Sequence, residues 1–160
     1  MISEVRDVIK EVKQTEVVYK AVDGREFVSE TDCTEYEKAL RKVVNEKVIK
    51  DLLTVVSESD MFNNWCGSEE WDYAVVKLTK GNYNDVKLWF ELNGGYKGKY
   101  TVFGETYEFE LSEEYIGKTV IFMLGEYWHS SMNYDDVRFL GTTEGFIKQI
   151  TEVMTKRLTV

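Results

Sequence analysis

The sequence predicts an α+β domain in which an antiparallel β meander is packed with a long helix and a C-terminal helix. Three observations predict it. Apolar residues recur at helical spacing over about residues 31–56, the period changes to two from Tyr73, and helical spacing returns after Thr143.

In chain order, Ile2, Val5, Val8, Ile9 and Val12 fall on one side of a short amphipathic helix over residues 2–12. Val17 to Val22 reads as a strand, Asp23-Gly24 as a hairpin turn, and Arg25 to Val28 as the short return. Ser29 or Thr31 caps the long helix, and the early acids Glu30 and Asp32 suit its dipole. Its apolar face is Tyr36, Leu40, Val43, Val44, Val48, Ile49, Leu52, Leu53 and Val56.

Ser57 to Asp72 reads as a loop. Ala74, Val76 and Leu78 then face one way on a strand, and Gly81 to Asp85 turns the chain. Val86, Leu88, Phe90 and Leu92 alternate with Lys87, Trp89, Glu91 and Asn93, which predicts another strand, with Gly94, Gly95 and Gly98 as its turn. Strands follow at Lys99–Phe103 and Thr106–Leu111. Val120–Leu124 is apolar throughout and predicts a central strand, with Val137–Leu140 as another. The closing helix buries Phe146, Ile147, Ile150, Val153, Met154 and Leu158, and the helices are expected against one sheet face. The chain reads as one domain over 1–160, a helix–hairpin–long helix part (1–56) followed by sheet and closing helix (57–160).

Composition narrows the function. With 10 Tyr, 8 Phe and 4 Trp the chain can bury an extensive core. Cys33 and Cys66 make neither a disulfide framework nor a zinc pattern. The longest apolar run is strand length, and the first residues lack the layout of a signal peptide, so a cytoplasmic protein is expected. A net charge of −9 argues against direct binding to nucleic acid. That charge is concentrated: residues 105–136 carry eight acids against the single base Lys118.

The segment Val18-Tyr19-Lys20-Ala21-Val22-Asp23-Gly24-Arg25-Glu26-Phe27, followed by Ser29-Glu30, Cys33 and Tyr36-Glu37, resembles a pattern common in small phage-encoded proteins. In that pattern a strand, an Asp-Gly turn, a buried Phe and a Cys-x-x-Tyr-Glu helix start form one unit. The whole chain, short and acidic, is similar in general character to the anti-CRISPR proteins that Gram-positive phages use against Cas9. The resemblance implies phage origin and a counter-defence role.

Two chemistries compete for the remaining residues. Cys66, His129 and one of Asn133, Asp135 or Asp136 have the chain order of a thiol hydrolase, but Cys66-Gly67-Ser68 leads into a strand and not a helix that would ionise the thiol. His129 has no histidine partner, and the clustered acids lack calcium-loop spacing, so no metal and no cofactor is expected. The glycines of Gly94–Lys99 join strands, which does not suit a phosphate cradle.

The other chemistry is binding. Glu105, Glu108, Glu110, Glu113, Glu114, Glu126, Asp135 and Asp136 can match the charge of a basic surface, with Trp128 and Tyr134 as anchors. The expectation is a non-enzymatic inhibitor of a basic host nucleic-acid-processing protein, a Cas9-type nuclease being the named example. The alternatives are a small cysteine hydrolase and an accessory interaction domain whose acids only keep it soluble.

Overall fold

The computed structural model describes residues 17–57, 71–95, 98–102, 105–126 and 134–158. The expected helix over 2–12 and most of the expected loop over 57–72 lie outside them.

The chain opens on a two-stranded ribbon, β1 (Tyr19–Lys20) against β2 (Glu26–Phe27). Gly24 makes its turn at φ 90°, a conformation that costs a side-chain-bearing residue energy. Helix α1 (Glu30–Asp51) starts at Ser29, whose side chain accepts the Asp32 N–H at 3.4 Å. It stops short of its expected end. The N–H groups of Leu52 and Leu53 both return to the Val48 carbonyl, and Thr54–Ser57 becomes a strand, β3. The β-branched run Thr54-Val55-Val56 favours that outcome.

The main sheet is antiparallel, with strand order β3-β4-β7-β8, where β4 is Trp71–Lys77, β7 is Thr119–Glu126 and β8 is Tyr134–Thr142. β7 is central, as its all-apolar sequence predicts. Between β4 and β7 the chain inserts helix α2 (Tyr83–Leu92) and a ribbon of β5 (Gly98–Val102) and β6 (Glu105–Phe109), and β6 lies beside β8.

Helix α2 corrects the strand expected at Val86–Leu92. The sequence there fits both periods, but Tyr83, Val86, Trp89 and Phe90 are the residues that bury, and they share a helical face. Trp89, expected on the outer side, is fully buried. Thr79 and Asn82 lock the entry, the Thr79 N–H donating to Asn82 Oδ1 at 2.7 Å and the Asn82 N–H to Thr79 Oγ1 at 3.2 Å. At the exit Gly94 adopts φ 73° and the Gly95 N–H donates to the Phe90 carbonyl at 2.8 Å, the bond of a Schellman stop. The glycines read as a hairpin turn therefore end a helix.

Alternation along the strands divides the interior into two clusters. Ala74, Val76, Val120, Phe122, Leu124, Val137 and Phe139 face α1 and α2. Phe122 is the hub: its ring lies 5.3 Å from that of Trp89, 5.6 Å from Phe90 and 5.3 Å from Phe139. Tyr73, Ile121, Met123 and Leu140 face the other way, onto Phe146 of the closing helix α3 (Thr143–Leu158). The helices thus cover both faces of the sheet, not the single face expected. Val43 of α1 and Ile147 of α3, both predicted to be buried, are 65% and 63% exposed. No helix among the described residues is long and apolar enough to cross a membrane.

Candidate acidic binding face

Two polar clusters tie α1 to its neighbours, one to α2 and one to the N-terminal ribbon. Asn45 of α1 and Asn93 at the end of α2 are buried and exchange amide hydrogen bonds, Asn93 Nδ2 donating at 2.7 Å and Asn45 Nδ2 at 3.2 Å. Arg41 Nε also donates to Asn93 Oδ1 at 3.0 Å, and Asn93 Nδ2 to the Trp89 carbonyl at 2.7 Å. Such a satisfied buried network holds two elements in one register. By contrast, the Trp89 indole N–H and the Ser112 hydroxyl oxygen are buried with no hydrogen-bond partner.

The second cluster seats the N-terminal ribbon on α1. Tyr36 donates its hydroxyl to Asp23 at 2.7 Å, packs its ring 5.2 Å from Phe27, and lies under the Arg25 guanidinium at 4.8 Å. The Val22 N–H donates to Glu37 at 2.8 Å. The Tyr36 bond holds the Asp23 carboxyl below its ordinary range and, reciprocally, pushes the Tyr36 phenol up. Cys33 is buried, and that burial, then the charges of Glu37 and Asp23, raises its thiol.

The candidate acids fall into three places. Glu110 follows β6, and Glu113 and Glu114 lie in the 3-10 turn Glu113–Tyr115; all three are exposed. Leu111 between them is buried in the main core cluster, which also holds Tyr83 at the start of α2. Burial raises the Tyr83 phenol first, followed by the charges of Glu113, Glu91 and Glu110. Glu91 of α2 adds its charge to theirs at Tyr83. On the expected strand it falls on the side opposite Val86, Leu88, Phe90 and Leu92, where nothing marks it as a site residue. The helix signals that could have found it are Asp85 near the start and Gly94-Gly95 at the stop. Tyr115 is likewise raised by burial and by Glu114, with its ring 4.9 Å from Phe139 and Lys118 Nζ 5.2 Å above it.

Glu105 and Glu108 form the second place, on β6, where Val102 and Lys99 are their register partners.

The third place is the far end of the main sheet. Glu126 pairs in register with Tyr134 and Gly125 with Asp136, which leaves Asp135 as the extra residue of an irregular step. The two ends of β7 are roughly 23 Å apart at about 3.3 Å per residue, so the first and third groups stand at opposite ends of the central strand. Trp128, Cys66, His129 and Asn133 lie outside the described residues.

Charge balance distinguishes these acids from others nearby. Asp85 of α2 is neutralised by Lys47 of α1 at 2.8 Å. Among the described residues Glu91, Glu113 and Glu114 form no ion pair. Nor is any group of three or more His, Cys, Asp or Glu placed to hold a metal ion among the described residues. Compared with known proteins, the chain matches no family model, no curated protein and no solved structure.

Proposed function

We propose that the protein is a non-enzymatic inhibitor that docks an acidic side onto a basic protein surface built to handle nucleic acid. The observation that carries this reading is the set Glu91, Glu113 and Glu114. These are carboxylates held by packed elements and left without a cation among the described residues, while Asp85 nearby has one. Fixed, unneutralised charge of one sign raises the association rate with a surface of the other sign and selects the partner. The resemblance of residues 18–37 to small phage proteins suggests phage origin, and the short, acidic character of the whole chain, similar to that of anti-CRISPR proteins, suggests counter-defence in a bacterial host. A Cas9-type nuclease, whose nucleic-acid channel is strongly positive, is the first partner to test.

The test is capture from host lysate on the immobilised protein, washed at low and then high salt. A nucleic-acid-handling protein held at low salt and released at high salt supports the reading. Retention of the same partner by the Glu110→Lys, Glu113→Lys, Glu114→Lys variant, in equal amount and with equal salt resistance, contradicts it.

A further inference from the structure

The N-terminal ribbon is held differently from the rest of the fold. Of the buried apolar residues among those described, only Ala21 and Cys33 belong to neither interior cluster. Cys33, Tyr36 and Glu37 share one face of α1 by their spacing, and Tyr36 and Glu37 are the residues that grip the ribbon. Ala21 adjoins Val22, whose N–H Glu37 accepts. The ribbon's four valines could anchor it by burial, but Val17, Val18, Val22 and Val28 are 40–74% exposed.

What holds the ribbon is mostly polar and lies at the surface. Tyr36 reaches Asp23 at 2.7 Å and Glu37 reaches the Val22 N–H at 2.8 Å, while the Phe27 ring meets Tyr36 at 5.2 Å. Hydrogen bonds that water can replace contribute little each. The other bonds of the turn close within the ribbon. The Ala21 N–H donates to the Arg25 carbonyl and the Gly24 N–H to the Ala21 carbonyl, both at 2.8 Å. The Arg25 N–H donates to the Asp23 carboxylate at 3.1 Å. Val28, the residue that joins the ribbon to the Ser29 cap, is among the exposed valines.

We infer that the ribbon is a strap that lifts from α1 as one unit while the sheet and the helices stay folded, uncovering the Cys33 side of α1. Elements with few buried apolar groups and with surface hydrogen bonds open at lower free energy than a core. Here the latch is a pair of neighbouring residues, Tyr36 and Glu37, so both bonds are lost in one movement. The strap stands apart from the acidic-inhibitor reading, because it lifts whether or not the acids hold a partner.

The test treats the full chain with N-ethylmaleimide in native buffer and reads labelling at Cys33 by mass spectrometry of its peptide, which separates it from Cys66. Rates are taken relative to the urea-unfolded chain. Amide exchange is followed in parallel at Val22, bonded across to α1, and at Phe122 in the central strand. Cys33 and Val22 should report one opening equilibrium, at least about 100-fold more populated than the opening at Phe122. Low urea should change it little while raising the opening at Phe122 steeply. Tyr36→Phe, which keeps the ring on Phe27, should raise it by about fivefold, and Glu37→Ala by a similar factor. Phe122→Leu, which weakens the main core, should leave it within about twofold.

Opening at Cys33 that tracks Phe122 through urea and rises in Phe122→Leu would mean that the ribbon leaves α1 only in global unfolding, and would overturn the inference. Exchange at Val22 without labelling at Cys33 would also overturn it, by placing the thiol under something other than the ribbon. Indifference of Cys33 to both Tyr36→Phe and Glu37→Ala would remove the latch and the strap with it.

Discussion

Tyr36 shows how a single side chain can tie sequence to fold. Its hydroxyl binds the Asp of the turn, its ring meets Phe27 and Arg25, and its backbone belongs to α1, so one residue joins turn, strand and helix. The Asp23 pKa is lowered in the folded protein relative to its ordinary 3.8. A lowered acid contributes stability that is complete above the unfolded value and lost as pH falls through the folded one. Seating of the ribbon on α1 should therefore weaken on acidification below pH 3.8. A carboxyl-carbon NMR titration should show the Asp23 pKa rising toward its ordinary value in Tyr36→Phe. An unchanged value in that variant would show that the Tyr36 bond is not the cause. At the other end of the scale the Tyr36, Tyr83 and Tyr115 phenols are all raised above 10.0, so their contribution is present below that pH and lost as pH rises through the folded values.

Among the elements, α1 and α2 differ in how legible they are. The start of α1 is written in Ser29 and the acids after it, and the Asp23-Gly24 turn fixes the ribbon before it. Its end is not, because Leu52, Leu53 and Val56 continue an apolar spacing that a helix could also use. In α2 the series Val86, Leu88, Phe90, Leu92 satisfies a period of two, while Tyr83, Val86, Trp89 and Phe90 satisfy 3.6. Periodicity cannot separate these over ten residues, and the deciding feature is the Gly94-Gly95 stop. At Gly95 a Cβ would lie 2.4 Å from the Phe90 carbonyl oxygen and 2.7 Å from its ring. Gly95→Ala should cost about 1–3 kcal/mol as an overpacking change. Gly81→Ala, where the nearest atom is 3.8 Å away, should stay within about 0.5 kcal/mol. Urea unfolding of the two variants checks both values, and equal stabilities would remove the stop from the account.

Across the whole molecule, Phe122 joins α2, the central strand and β8 through ring contacts at 5.3–5.6 Å. Phe122→Ala should destabilise by about 3–5 kcal/mol, measured by denaturant unfolding. A cost below about 1 kcal/mol would mean that the core collapses to refill the space. The antiparallel sheet and its central strand were legible because alternation and an all-apolar run are local signals. The candidate site was only partly so. The charge excess of residues 105–136 was visible, and Glu110, Glu113 and Glu114 are exposed on either side of the buried Leu111. Glu91 lies on a helix whose residues also fit the period of a strand, so the charge it adds at Tyr83 was not legible, and Glu126, Asp135 and Asp136 are carried to the other end of β7. Charge counted along a chain does not reveal how the fold divides it.

On the proposed function, the acidic side of the protein provides the binding energy for a basic partner. The most direct measurement is the dissociation constant for the captured partner as a function of salt concentration, for the native chain and for the Glu110→Lys, Glu113→Lys, Glu114→Lys variant. The native complex should weaken steadily as salt rises, and the variant should bind more weakly with a shallower salt dependence. Equal affinities with no salt dependence would contradict it.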